Sequence, residues 1–464
     1  MSEIKNSMES FGYQQELKRT LKTKDLVIFG MVFMSPMACM ILFGTMTTLS
    51  QGHSVLAYII GFVAMLFTAF SYGKMVEAFP IAGSTYSYTQ RAINPKLGFL
   101  SGWVMLLDYV LIPMLLYVIS ANFSNALIPQ VPFWAWIIFY ISVVTVINIL
   151  GVEVAAKANF IMTGLMLLAI LAFVISAVKY AITGNTAALF SIRTIYNPET
   201  FSLGPVVTAS AMAVLSYLGF DAITTLTEEA AVPVKKIGKA IVLACVIQTI
   251  IYVAVAYFAT LVTPDYKSIT NVDTAFFEIA FAVGGSALQT FVTLVIMITG
   301  MATALAGQTA ASRLLYGMGR DKLIPAKFFA YLHPKYKTPT YSILFMGAIG
   351  LAGALLISFG MISEMVTFGG LFGFICVNLS VINQYFIRNK ERKVIRNLIF
   401  PLLGAGICTY IWFSLSPLAK VVGFSWLAIG IIYLVVRSLK SSEFKSLLEN
   451  TTFMSAEVAE STDI

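Results

Sequence analysis

Within a long apolar run, Ser216, Tyr217, Leu218, Gly219, Phe220 and Asp221 are followed by Thr224, Thr225 and the acidic pair Glu228 and Glu229. A carboxylate well inside a membrane-spanning helix costs about 2.5 to 3.5 kcal/mol on insertion scales, so it is tolerated where it faces a cavity or a partner. In that low dielectric a carboxylate pairs strongly with an ammonium group. Asp221 is therefore the first candidate for binding a cationic substrate or carrying a proton. Glu228 lies seven residues further on, two turns along the same face if the segment is α-helical, with Thr225 between. A second acid, Asp108, stands beside Tyr109 in another apolar run. The Tyr109 ring offers a phenol and a π face that attracts ammonium groups, and Asp108 suits a second ammonium contact or a proton relay. Each residue also has a plainer reading. Asp221 could bond unwound backbone amides, Glu228 and Glu229 could pair with Lys235 or Lys236, and Tyr109 could simply pack.

The elements that must hold these residues are membrane helices. Of 464 residues, 58% are hydrophobic and 11% charged, far below the charge of a soluble domain. A helix needs roughly 20 apolar residues to cross the hydrocarbon core. About twelve such runs occur, over 25–50, 54–76, 97–127, 132–151, 158–182, 204–227, 237–263, 284–316, 340–360, 363–387, 396–416 and 421–438. The alternating ten-residue pattern of a membrane barrel is absent. The expected class is an all-α polytopic membrane protein, with a short surface helix around 273–283.

The net charge of +8 is topological and does not imply a nucleic-acid partner. With the N-terminus inside, 26 of 30 Lys and Arg lie on the cytoplasmic side, leaving Lys179, Arg193, Lys267 and Lys420 outside. That bias is the positive-inside rule, and it places both termini in the cytoplasm of a cell (inner) membrane protein. Cys39, Cys245, Cys376 and Cys408 sit in separate spans and read as small buried hydrophobes. His53 and His333 lie in loops. The sequence has no metal-ligand spacing, no phosphate-binding loop and no nucleophile–base set, so no metal, cofactor or enzyme activity is expected.

Two spans are interrupted. The first carries Ser35, Pro36 and Met37, and Pro36 removes an intrahelical hydrogen bond. The sixth carries Gly219 and Asp221. They are five spans apart, and a matched pair of broken helices is the best sequence pointer to a transporter site at the midplane. The implied organisation is a cytoplasmic segment 1–24, a five-helix repeat 25–182, an inverted repeat 204–387, two further helices 396–438 and a cytoplasmic tail 439–464.

The stretches 216–229, with Pro233 following, and 311–325 resemble signatures of the amino acid-polyamine-organocation superfamily, as do 71–75, 80–88 and Gly102–Trp103. The likeness covers about 20–438. Residues 34–37, 106–109 with Pro113, and 328–335 are similar to bacterial proton-coupled putrescine importers. The resemblance implies a LeuT-like 5+5 fold, alternating access and proton-coupled uptake of a small organic cation or amino acid. It places Ser35, Pro36, Met37, Tyr109, Tyr217, Gly219, Phe220, Asp221, Thr225, Glu228, Glu229 and Thr303 at the substrate, with Asp221 and Asp108 as proton-coupling candidates. Ser-Pro-Met stands where many amino-acid permeases have a glycine-rich break for a carboxylate, which favours a substrate without one. Ile41 stands where polyamine importers carry an acid, which leaves the second end of a diamine unassigned. Thr299 and Thr303 lack the adjacent hydroxyl pair of sodium-coupled relatives, and Met166 replaces the lysine of some proton-coupled ones. The expected function is import of putrescine or a related polyamine with protons, and the alternative is an amino-acid permease of the same fold. Expected partners are the substrate, protons and the lipid bilayer.

Overall fold

The computed structural model describes residues 17–441, except 83, 129, 186–188, 270–271, 273–274, 357–358 and 416. Most of both polar terminal segments thus lies outside the described residues. All regular structure among the described residues is helical, apart from one isolated parallel bridge between Leu21 and Ala230. Among the described residues, eleven helices are long and apolar enough to cross a membrane, and Thr340–Leu356 is a shorter apolar twelfth.

Span one is Thr23–Met34, continued after a break by Ala38–Ile41 and Phe43–Leu49. Spans two to five are Ser54–Ala78, Pro95–Leu127, Phe133–Leu150 and Val152–Tyr180. Span six is Leu203–Leu215, and after a turn the chain resumes as the 3₁₀ helix Phe220–Glu229. Spans seven to nine are Val234–Val262, Ala275–Arg320 and Thr340–Leu356. Spans ten to twelve are Phe359–Val381, Phe400–Ser414 and Pro417–Lys440, with π-helical turns Ile382–Arg388 and Ile395–Ile399 between ten and eleven. The expected surface helix starts at Ala275 and runs into span eight through Gly285, whose φ of 65° marks the kink; Asp273 lies outside the described residues.

The packing follows an offset of five. Span six packs on two as span seven packs on one, and span three packs on ten as span eight packs on five. Span two against seven and span three against eight complete the pattern. The interrupted segments of spans one and six meet at the centre. At the periphery, Trp103 and Trp426 stack at 4.7 Å, and each indole N–H donates to the other's carbonyl, at 3.0 and 2.9 Å. Large apolar side chains such as Ile161, Ile250, Tyr410 and Ile432 face outward. A lipid environment covers such a surface, and an aqueous one does not.

Spans two and seven approach closely where Gly73 meets Gly238. A Cβ on Gly238 would stand 3.1 Å from the Gly73 Cα and carbonyl oxygen, and small residues are what allow membrane helices to cross this tightly. Gly238→Val is expected to destabilise the bundle by about 1–3 kcal/mol. Thermal unfolding in detergent should show a lower midpoint; an unchanged midpoint would contradict this crossing.

Candidate functional site

The site starts from two backbone faults. Pro36 lacks an N–H, so the Val32 carbonyl loses its normal helical partner. The Ser35 N–H donates to that carbonyl at 3.0 Å instead, and the Thr303 hydroxyl of span eight donates to it at 2.8 Å. Ser35 takes a φ of 57° to make the turn. In span six the chain turns at Gly219 with φ of 117°, a conformation that glycine adopts without a Cβ penalty. A Cβ there would also fall 2.8 Å from Phe33 Cγ, so the second break is pressed against the first. Tyr252 of span seven links them. Its hydroxyl lies 2.7, 3.0 and 2.8 Å from the carbonyl oxygens of Met34, Ser35 and Ser216. The single proton of this phenol is thus shared among carbonyls of both breaks, one of which, that of Ser35, also accepts from the Ala38 N–H at 3.0 Å; no water of the bilayer core could supply it.

Two residues after Gly219, Asp221 is fully buried and accepts a hydrogen bond from the Tyr109 hydroxyl of span three. The Phe33 ring lies 5.9 Å from that of Tyr109. Phe220 meets Tyr72 edge-on at 5.6 Å and stacks on Phe374 at 5.2 Å. Asp108 is also fully buried, and neither carboxylate oxygen has a hydrogen-bond partner among the described residues. It faces span ten at Gly370, where a Cβ would lie 3.1 Å from Asp108 Oδ2 and 2.8 Å from Leu218 Cδ2. Two carboxylates and several aromatic faces therefore surround the break of span six, closed off from solvent. This arrangement can bind a cation and can hold or release a proton.

The face expected to run from Asp221 through Thr225 to Glu228 is not formed. The segment is 3₁₀ rather than α-helical, and in a 3₁₀ helix residues three apart are the ones that eclipse. Asp221 aligns with Thr224 and Thr227, whereas Thr225 and Glu228 follow Ala222. The hydroxyls record this register: Thr224, Thr225 and Thr227 each donate to the carbonyl three residues back, at 2.6, 2.7 and 2.6 Å.

The same segment ends in ion pairs. Glu229 binds Arg313 with Nε–Oε1 at 2.6 Å, both side chains buried. Glu228 accepts from Arg320 at 3.0 Å at each oxygen and from the Ala82 N–H at 2.8 Å. The pairs therefore form with arginines of span eight; the lysines 235 and 236 considered from the sequence are not those partners. Tyr86 donates to Asp321 nearby. Beneath them the N-terminal segment adds backbone bonds, Thr20 and Leu21 N–H to the Glu229 carbonyl at 3.0 and 3.1 Å and Ala231 N–H to Leu21 at 2.8 Å. Partial burial lowers the Arg19 pKa from the usual arginine value, with the Glu228 charge opposing the shift.

Of the residues singled out from sequence, the structure brings Ser35, Pro36, Met37, Tyr109, Gly219, Phe220 and Asp221 to the paired breaks, with Asp108 close by. Thr303 is engaged by backbone. Tyr217 turns away toward spans two and seven, where it meets the Tyr58 carbonyl and Thr249 at 3.3 and 3.1 Å. Glu228 and Glu229 lie at the end of the 3₁₀ segment, in the ion pairs with Arg320 and Arg313. Sequence reasoning missed Tyr252, Tyr72, Phe374 and the two arginines as parts of the site. Arg313 carried a signal, a lone cation near the end of an apolar run; the others look like any aromatic in a span.

Tyr252→Phe leaves the ring and removes the shared hydroxyl. The unmet carbonyls predict a loss of about 1–3 kcal/mol together with lower transport. Wild-type thermal stability and uptake in this variant would refute the bridging role.

The sequence profile of the family described as amino acid permease matches residues 29–453. The low-affinity putrescine importer PlaP of Escherichia coli strain K12 is 35% identical over 427 residues, covering 90% of this chain and 93% of its own length. The methylthioribose transporter of Bacillus subtilis strain 168 is 26% identical, covering 94% of this chain and 98% of its own length. The branched-chain amino acid permease BcaP of the same organism is also 26% identical, with 93% and 95% covered. These relatives are membrane transporters rather than enzymes. The match spans residues 29–453, and the chain belongs to the amino acid permease family.

Proposed function

We propose that the chain is a secondary active transporter that imports a small organic amine, putrescine or a related polyamine, together with protons. The observation that carries this reading is the carboxylate of Asp221, buried at the break of span six and held by Tyr109. An ammonium group entering between spans one, three, six and eight would meet Asp221 and the aromatic faces of Tyr109 and Phe220. Asp108, with both oxygens open among the described residues, suits the second ammonium of a diamine and so fills the role left unassigned by Ile41. Protonation of Asp221 weakens its pairing with the ammonium and aids release.

The packing offset of five supports two inverted repeats, 25–182 and 204–387, rocking about this site. The bias of Lys and Arg supports cytoplasmic termini in a bacterial inner membrane, which sets the Glu228–Arg320 and Glu229–Arg313 pairs at the cytoplasmic end. These pairs act as the inner gate, which must part for substrate to leave. The names of the relatives favour an amino-acid permease as the second reading: one carries a branched-chain amino acid and another putrescine.

Asp221→Asn keeps the shape and removes the charge. Truncating one partner of a desolvated charge pair costs about 2–5 kcal/mol, so amine uptake should fall at least about thirtyfold in protein that remains monodisperse in detergent. Wild-type uptake by Asp221→Asn at every pH would remove Asp221 from the mechanism. Competition by amino acids but not by diamines would select the permease reading.

A further inference from the structure

A cavity of about 1040 Å³ lies between spans two, seven and ten and the start of span eleven. It shares none of the Asp221 site's residues. Lys74, Lys235, Lys239 and Arg396 line it, against one carboxylate, Glu77. Glu77 is already matched, since its Oε2 lies 3.8 Å from Lys74 Nζ. Lys235, Lys239 and Arg396 are exposed and form no ion pair among the described residues. Lys235 and Lys239 are four apart on one helix and so share a face. Three cations thus converge without a counter-charge of their own.

The rest of the wall is apolar. Phe70, Leu243 and Ile395 contribute side chains that are 41%, 46% and 63% exposed, on the face that meets lipid. Along span seven the lining continues from Lys239 to Val246, about 10 Å deeper at the rise of an α-helix. The charge is at one end and the apolar groove leads away from it. A free phosphate would use only the charged end. A phospholipid would use both, its phosphate at the cations and its acyl chains along the groove.

We propose that this cavity binds an anionic phospholipid of the leaflet facing the lysine-rich end. Basic pockets between membrane helices on the cytoplasmic side suit acidic headgroups. The lipid sits on span seven, which begins directly after the segment carrying Glu228 and Glu229, and beside the Gly73–Gly238 crossing. The inference rests on the membrane reading of the fold and is independent of which substrate is carried.

Native mass spectrometry of the full chain tests it. The purified protein is mixed with phosphatidylglycerol or phosphatidylcholine, with and without millimolar inorganic phosphate. The variant Lys235→Gln/Lys239→Gln/Arg396→Gln is compared with Lys157→Gln/Lys327→Gln/Lys335→Gln, which removes the same charge elsewhere. Wild type and the control should retain phosphatidylglycerol about tenfold or more over phosphatidylcholine, and the cavity variant should lose that preference. Equal retention of the two lipids, or an unchanged preference in the cavity variant, would overturn the proposal. Displacement of phosphatidylglycerol by inorganic phosphate would show a free-anion site and overturn the lipid assignment.

Discussion

Backbone groups released inside a bilayer must find partners within the protein, and this structure is arranged around two places where that demand arises. Pro36 and Gly219 each stop a helix at mid-span. The Tyr252 hydroxyl lies among the carbonyls of Met34, Ser35 and Ser216 and shares one proton between the two breaks, and Thr303 adds a second donor to Val32. Because the same phenol serves both breaks, spans one, six and seven are tied at one point. The contact between Gly219 and Phe33 brings the breaks within van der Waals reach. Asp221 follows the second of these breaks by two residues, so its place at the bundle centre is set by the backbone.

Asp221 and the inner ion pairs belong to one short 3₁₀ segment. Asp221 faces the bundle centre through Tyr109, and Glu228 and Glu229 grip Arg320 and Arg313 at the other end. Asp221 and the two ion pairs thus sit on one continuous element. Removing one partner of a buried pair such as Glu229 with Arg313 costs about 3–5 kcal/mol, because it leaves the other charge buried alone. Long 3₁₀ runs are uncommon and often mark hinges, and this one spans Phe220–Glu229.

Much of this was legible in the sequence, and the limits have physical causes. The spans were readable because the hydrocarbon core sets a length that composition must meet. The breaks were readable because Pro36 and Gly219 act through local backbone rules, and Asp221 because burial of a lone acid is expensive. The 3₁₀ register was not read: the hydroxyls at 224 and 227 lie three and six residues from Asp221, but spacing alone did not displace the α-helical assumption. The role of Tyr252 depends on which helices become neighbours, and one tyrosine among 21 gives no local sign of it. The acidic pair reads from sequence as a candidate substrate contact, or as a partner of the adjacent lysines; its ion-pair partners come instead from span eight, more than eighty residues away, which no local spacing reveals.

The most direct test of the central claim is uptake of radiolabelled putrescine into proteoliposomes, with and without an inward proton gradient. Unlabelled diamines and amino acids serve as competitors. Gradient-stimulated uptake that diamines alone suppress is the predicted result. No putrescine uptake by protein shown to be active through counterflow of an amino acid would contradict it and make this chain an amino-acid permease.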